Sequence, residues 1–197
     1  LLAQQWQKAF SDRQLFLFVE IAPHRYEGDM ATSAAHIREQ QYKASLEIPH
    51  CAMTSTNDLV YPYEVRQIHP TQKRPIGERL ALTALARYYG YEKVMYKQPA
   101  FEKLEIKGDT CVVHLKDTYT GIIPQSTYEG FEVAGADEVF HPATATLHAD
   151  RVRLHCPEVE HPVWVRYGWQ PFTRANLVNA EGLPTSTFRI AVEGAKP

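Results

Sequence analysis

Residues 14–22, Gln-Leu-Phe-Leu-Phe-Val-Glu-Ile-Ala, form a near-continuous apolar run that ends at Pro23. A half-exposed strand alternates apolar and polar side chains. A run without that alternation suits a strand covered on both faces, as in a parallel sheet flanked by helices. The surrounding sequence agrees. Residues 1–10 read as the end of an amphipathic helix. Asp29, Thr32 and Ser33 offer N-caps for a polar helix running to about Leu46. A short strand is expected from about His50 to Ser55, then a loop over 56–73. Ile76, Leu80, Ala84 and Tyr88 recur every four residues and predict one apolar helical stripe. Pro75 falls in the first turn, where a missing N–H is tolerated, and Gly90 suits the C′ position.

From about Tyr91 the period shortens to two. Phe101–Lys107 and Thr110–Lys116 alternate around Gly108-Asp109, a hairpin pattern. Further short strands are expected at 130–134, 138–141, 144–148, 151–156 and 163–169, separated by turn residues. This half predicts a β-sandwich of about seven strands. Residues 176–190 read as an extended, ordered strap. The expected organisation is α/β over residues 1–90 and a β-sandwich over 91–197.

Two strands and about three helices do not complete a doubly wound sheet, which usually has about five strands. The first 90 residues are therefore expected to be the C-terminal half of an α/β domain, with its other half preceding Leu1. Without that half, the strand at 14–22 would present an unpaired apolar edge prone to association. Composition gives boundaries. With 21 basic and 23 acidic residues the net charge is −2, so no general positive field attracts nucleic acid. No apolar run approaches the roughly 18 residues of a membrane span.

The chemistry-bearing segment is Asn57-Asp58-Leu59 … Ile68-His69-Pro70-Thr71-Gln72-Lys73, then Gly77-Glu78-Arg79-Leu80-Ala81. His69 follows the second strand of the α/β part, and ligands gather at the carboxyl ends of such strands. Pro70 biases His69 towards extended backbone, so its imidazole can project from the loop. An imidazole is a suitable general base and needs a carboxylate to fix its tautomer. Asp58 and Glu64 are the nearby candidates. His24-Arg25-Tyr26, after the first strand, would line a ligand cleft, with Arg25 contacting a hydroxyl or carboxylate, or alternatively form a plain surface loop.

These segments, with Tyr89-Gly90, resemble the C-terminal signature of the sialate O-acetylesterase family. That family belongs to the SGNH (GDSL-type) serine hydrolases and is related to some bacterial acetylxylan esterases. The buried strand ending in Ala22-Pro23 is similar too. So are, in order, Gly130–Gly135, Val165–Trp169, Asn176–Pro184 and Phe188-Arg189. The resemblance spans nearly the whole chain. It implies an SGNH-type α/β half-domain followed by the β-sandwich. The implied activity is hydrolysis of acetyl esters on sugars, by serine attack with His69 as base, without metal or organic cofactor. Asp58 matches the family's Asp-Leu element and is the first candidate to orient His69. The position three residues before the histidine, often acidic in SGNH enzymes, is Arg66 here. None of Ser11, Ser33, Ser45, Ser55, Ser126 or Ser186 stands in the family's Gly-Gln-Ser-Asn motif. The nucleophile is thus expected on an N-terminal part of the same polypeptide, and the fragment alone would be inactive. Acetylated glycans are met outside the cytoplasm, so an extracellular, periplasmic or lysosomal setting is expected. The alternative function is a non-catalytic carbohydrate-binding or structural accessory module.

Other candidates have plainer readings. Cys51, Cys111 and Cys156 lack CxxC spacing and suit buried hydrophobes, with a Cys111–Cys156 disulfide left open. His148 and His155 lack a third metal ligand at usual spacing. His141-Pro142 and His161-Pro162 echo His69-Pro70 but lie among strand ends. Trp164, Trp169, Tyr119 and Tyr128 are core aromatics or, alternatively, a sugar platform.

Overall fold

The structure, a computed structural model, describes residues 2–11, 13–27, 30–172 and 175–192. Helix α1 spans Leu2–Phe10 and leads into β1, Phe16–Val19. Helix α2, Met30–Glu47, returns the chain to β2, Cys51–Thr54, and α3 covers Arg74–Arg87. β1 and β2 pair in parallel, Phe16 opposite Cys51 through Val19 opposite Thr54. All four β1 residues are half-buried, whereas β2 is largely buried. Among the described residues β1 has a strand partner on one side only.

Two details differ from the sequence reading. Met30 already opens α2, so Ser33 lies inside its first turn and does not cap it; Asp29 and the Thr32 side chain lie outside the described residues. In α3 the stripe of Ile76, Leu80 and Ala84 is only half-buried and Tyr88 is exposed; the buried positions are Arg79 and Thr83. Arg79 points inward because four oxygen contacts await its guanidinium there.

The remaining strands build two four-stranded sheets. One has the order β3 (Ala100–Lys107), β4 (Thr110–Lys116), β8 (Arg151–His155), β7 (Thr144–His148). The other has the order β10 (Phe188–Ala191), β9 (Trp164–Tyr167), β5 (Phe131–Ala134), β6 (His141–Pro142). Gly108, at φ 64°, makes the β3–β4 turn. Among the described residues the sandwich has eight strands, because the end of the strap pairs with β9, Phe188 opposite Tyr167. β6 is shorter than expected and begins at His141; Glu138, at φ 56°, lies outside it. Val113, Val133, Val152, Leu154, Val165 and Leu177 fill the space between the sheets.

β8 alternates exposed and buried residues, so its sheet has one wet face. β5 is buried at all four positions: on its outer face Arg166 forks onto Glu132 at 2.8 and 2.9 Å and Gln170 reaches it at 3.2 Å, and helix α2 packs on the residues that follow β9. There His36 meets Trp169 edge-on at 5.1 Å. Arg38 donates to the carbonyls of Gly168 and Gln170 at 2.9 and 2.8 Å. The α/β part and the sandwich thus share a buried polar seam. All three cysteines are free and buried, so no Cys111–Cys156 disulfide forms; Cys156 instead donates its S–H to Glu158 at 3.0 Å. No helix among the described residues is long and apolar enough to cross a membrane.

Candidate functional site

β1 and β2 run in parallel, so both loops of interest leave the sheet at the same edge. After Val19 the chain passes Glu20 and Pro23 to His24-Arg25-Tyr26. After Thr54 it enters the loop that carries Asp58, Glu64 and His69. The two loops touch directly: the Arg25 N–H donates to the Val65 carbonyl at 2.8 Å, and Arg66 approaches Glu27 at 3.6 Å. The structure therefore brings together the two segments that the sequence singled out separately.

Glu64 shapes the loop. Its buried carboxylate accepts the Tyr61 N–H at 3.1 Å and the Thr71 N–H at 2.9 Å, so one side chain fastens both flanks of His69. Burial raises this carboxyl, but those two N–H donors and nearby Lys73 outweigh it and hold it below the usual range. Both Glu64 oxygens are thereby engaged with backbone. His69 itself is exposed, with Pro70 buried behind it, and its imidazole makes no hydrogen bond among the described residues.

Asp58 is held by a bidentate clamp. Arg79 Nη1 and Nη2 donate to its two oxygens at 2.9 and 2.6 Å. The same guanidinium reaches the Ser55 carbonyl at 3.1 Å and the Gly182 carbonyl at 2.8 Å. Arg79 thus ties the root of the His69 loop to the C-terminal strap. The Asp58 side chain keeps 22% exposure, and each carboxylate oxygen retains a further lone pair. It can still accept an imidazole N–H, although the structure does not join it to His69.

Below this lies a group that sequence reasoning missed. Glu20, 1% exposed, accepts Ser55 Oγ–H on one oxygen and Ser186 Oγ–H on the other, each at 2.5 Å. Burial raises its carboxyl, against the two serine donors and the field of Arg38. Arg38, fully buried, donates to Thr187 Oγ1 at 3.0 Å as well as to the two carbonyls beyond it. Asn57 donates to the Thr185 carbonyl at 3.2 Å. Residues 182–187 of the strap therefore dock onto the carboxyl ends of both parallel strands. A glutamate inside an apolar run was the one available signal; Arg38 gave none in a polar helix.

The other candidates resolve as structure. Trp164, Trp169 and Tyr128 are buried, whereas Tyr119 is exposed and its hydroxyl accepts the Lys97 N–H at 3.0 Å. His155 faces Asp109 at 3.6 Å. Among the described residues no group of three or more His, Cys, Asp or Glu is placed to hold a metal ion.

No protein-family model matches this chain, and no curated protein matches it. A solved structure does: a carbohydrate acetylesterase from Xanthomonas citri, 35% identical in sequence, with a TM-score of 0.84. The similarity covers 95% of this chain and 44% of that protein, so this chain spans less than half the length of the enzyme it matches.

Proposed function

We propose that this chain is the base-bearing portion of an SGNH-type serine esterase, akin to sialate O-acetylesterases, that removes acetyl groups from sugars. The observation that carries the reading is its likeness to a carbohydrate acetylesterase over 95% of its length. The juxtaposition of the Arg25 and His69 loops at one sheet edge adds support.

In the proposed reaction a serine from the part of the polypeptide outside this sequence attacks the acetyl carbonyl carbon. His69 takes the serine proton as the new C–O bond forms. The tetrahedral intermediate collapses, the sugar oxygen leaves, and His69 returns the proton to it. Water then attacks the acyl-serine with His69 again as base, freeing acetate and restoring the serine. Asp58 is the carboxylate we assign to orient the imidazole, with its position set by the Arg79 fork. Glu64, engaged on both oxygens, keeps the loop in shape. Arg25 and Tyr26 flank the place a sugar would occupy, where Arg25 is exposed and can meet a hydroxyl or carboxylate.

The test uses the full-length protein and an acetylated xylo-oligosaccharide or O-acetylated sialic acid. Acetate release that a fluorophosphonate abolishes, with the label on an upstream serine, is the expected result. Absence of acetate release, or release insensitive to the serine reagent, would overturn the proposal.

A further inference from the structure

The loop between Asp58 and His69 carries two tyrosines whose placement the chemistry above leaves unexplained. Tyr61 and Tyr63 are 40% and 78% exposed. Their rings stack at 5.2 Å between centroids with 12° between planes. Exposed aromatics occurring singly need no explanation. Here two are stacked on one another, so one face of each ring is covered by the other, the outer face of the stack is offered to solvent chiefly by Tyr63, and their support is rigid. Pro62–Glu64 form a 3-10 turn in which Pro62 fixes its own φ. The Glu64 N–H donates to the Tyr61 carbonyl at 2.8 Å, while the Glu64 side chain receives the Tyr61 N–H in return. The second oxygen of that carboxylate holds Thr71, two residues past His69. One buried group therefore fixes the tyrosine turn and the exit of the His69 loop together.

A ligand for such a surface needs an apolar face and polar edges. A phenol ring offers the matching pair, a flat π-face and a hydroxyl that hydrogen-bonds. Tyrosine also loses only two side-chain torsions on binding, so a pre-stacked pair costs little to order. A pyranose ring fits: its axial C–H groups lie on one face and its hydroxyls project around the rim. We infer that Tyr61 and Tyr63 form a stacking subsite for a pyranose residue of the glycan, alongside the bond that His69 acts on. This inference rests on the proposed function for its choice of ligand. The buried Trp164 and Trp169 are closed to such a role.

The experiment measures sugar binding directly, so it stands whether or not acetate is released. Xylotetraose and N-acetylneuraminic acid are titrated calorimetrically into the full-length protein and into the Y61A/Y63A and Y61F/Y63F variants. One of the two sugars should bind the wild type. The alanine pair should weaken that binding by about tenfold or more, and the phenylalanine pair, which keeps both π-faces, by no more than about twofold. Equal losses in both variants, or no binding to the wild type, would overturn the inference. If the alanine pair fails to fold, nitration of wild-type Tyr63 by tetranitromethane replaces it. Nitration that the sugar suppresses supports the subsite. A Tyr63 already protected without sugar would mean that another part of the polypeptide covers it, which refutes the subsite.

Discussion

Replacing Arg38 by methionine probes the seam that holds the strap to the α/β part. The guanidinium makes three hydrogen bonds at full burial, to Thr187 Oγ1, the Gly168 carbonyl and the Gln170 carbonyl. Charged hydrogen bonds contribute roughly 1.5–3 kcal/mol each, so the gross loss is large. Two features reduce it. Thr187 Oγ1 also donates to the Gly168 carbonyl at 3.1 Å, so those two groups keep a partner. Arg38 Nη1 has no partner among the described residues, so its desolvation is recovered on removal. What remains is one orphaned carbonyl and a buried Glu20 without its nearby cation. Each buried polar group left without its partner costs roughly 1–3 kcal/mol, and a loss of about 3 kcal/mol is expected here. That is a large share of a typical total stability of roughly 5–15 kcal/mol. Urea unfolding followed by fluorescence of the buried Trp164 and Trp169 reads it out. At a pH above the raised Glu20 titration, where its carboxylate is charged, R38M/E20Q should recover about 1–2 kcal/mol relative to R38M, because the uncompensated charge is gone. A loss below about 1 kcal/mol, or no recovery in the double variant, would refute the reasoning.

Two further outcomes follow from the same groups and the core. Burial raises the Glu20 carboxyl above its ordinary 4.5, so the folded chain keeps a proton that the unfolded chain has released. Stability should then fall as pH rises from about 4.5 towards the raised value. Glu20→Gln should flatten that fall in urea titrations across pH; an unchanged slope would contradict it. Burial pushes the Cys111 thiol up to about 12, and Cys51 and Cys156 are also buried. A disulfide reagent should label none of the three in the native protein and all three in urea, and fast native labelling would contradict the packing.

The parallel pair was legible because an apolar run without alternation leaves few other arrangements. Its half-exposure was not, since a sequence records what a strand can bury and not what lies against it. The α3 stripe shows the same limit. Periodicity ranks residues by hydrophobicity and points Ile76 and Leu80 inward, yet Arg79 takes the inner position because the Ser55 and Gly182 carbonyls and Asp58 lie there. Gly182 is more than a hundred residues from Arg79, so no local pattern announces it. The strap's last strand was hidden similarly: Pro184 and its Thr and Ser neighbours read as an extended strap, and pairing with β9 makes 188–191 a strand. His69 stood out through Pro70 and its position after β2. Glu20, Arg38 and the strap contacts depend on three-dimensional closure and were silent.

Acetate release by full-length His69→Ala, against wild type under the same conditions, tests the central claim most directly. Loss of a triad base lowers kcat by roughly 1000-fold or more, and a fall of that order is expected while urea unfolding stays near wild type. A variant that retains wild-type turnover would contradict the assignment of His69 as the base.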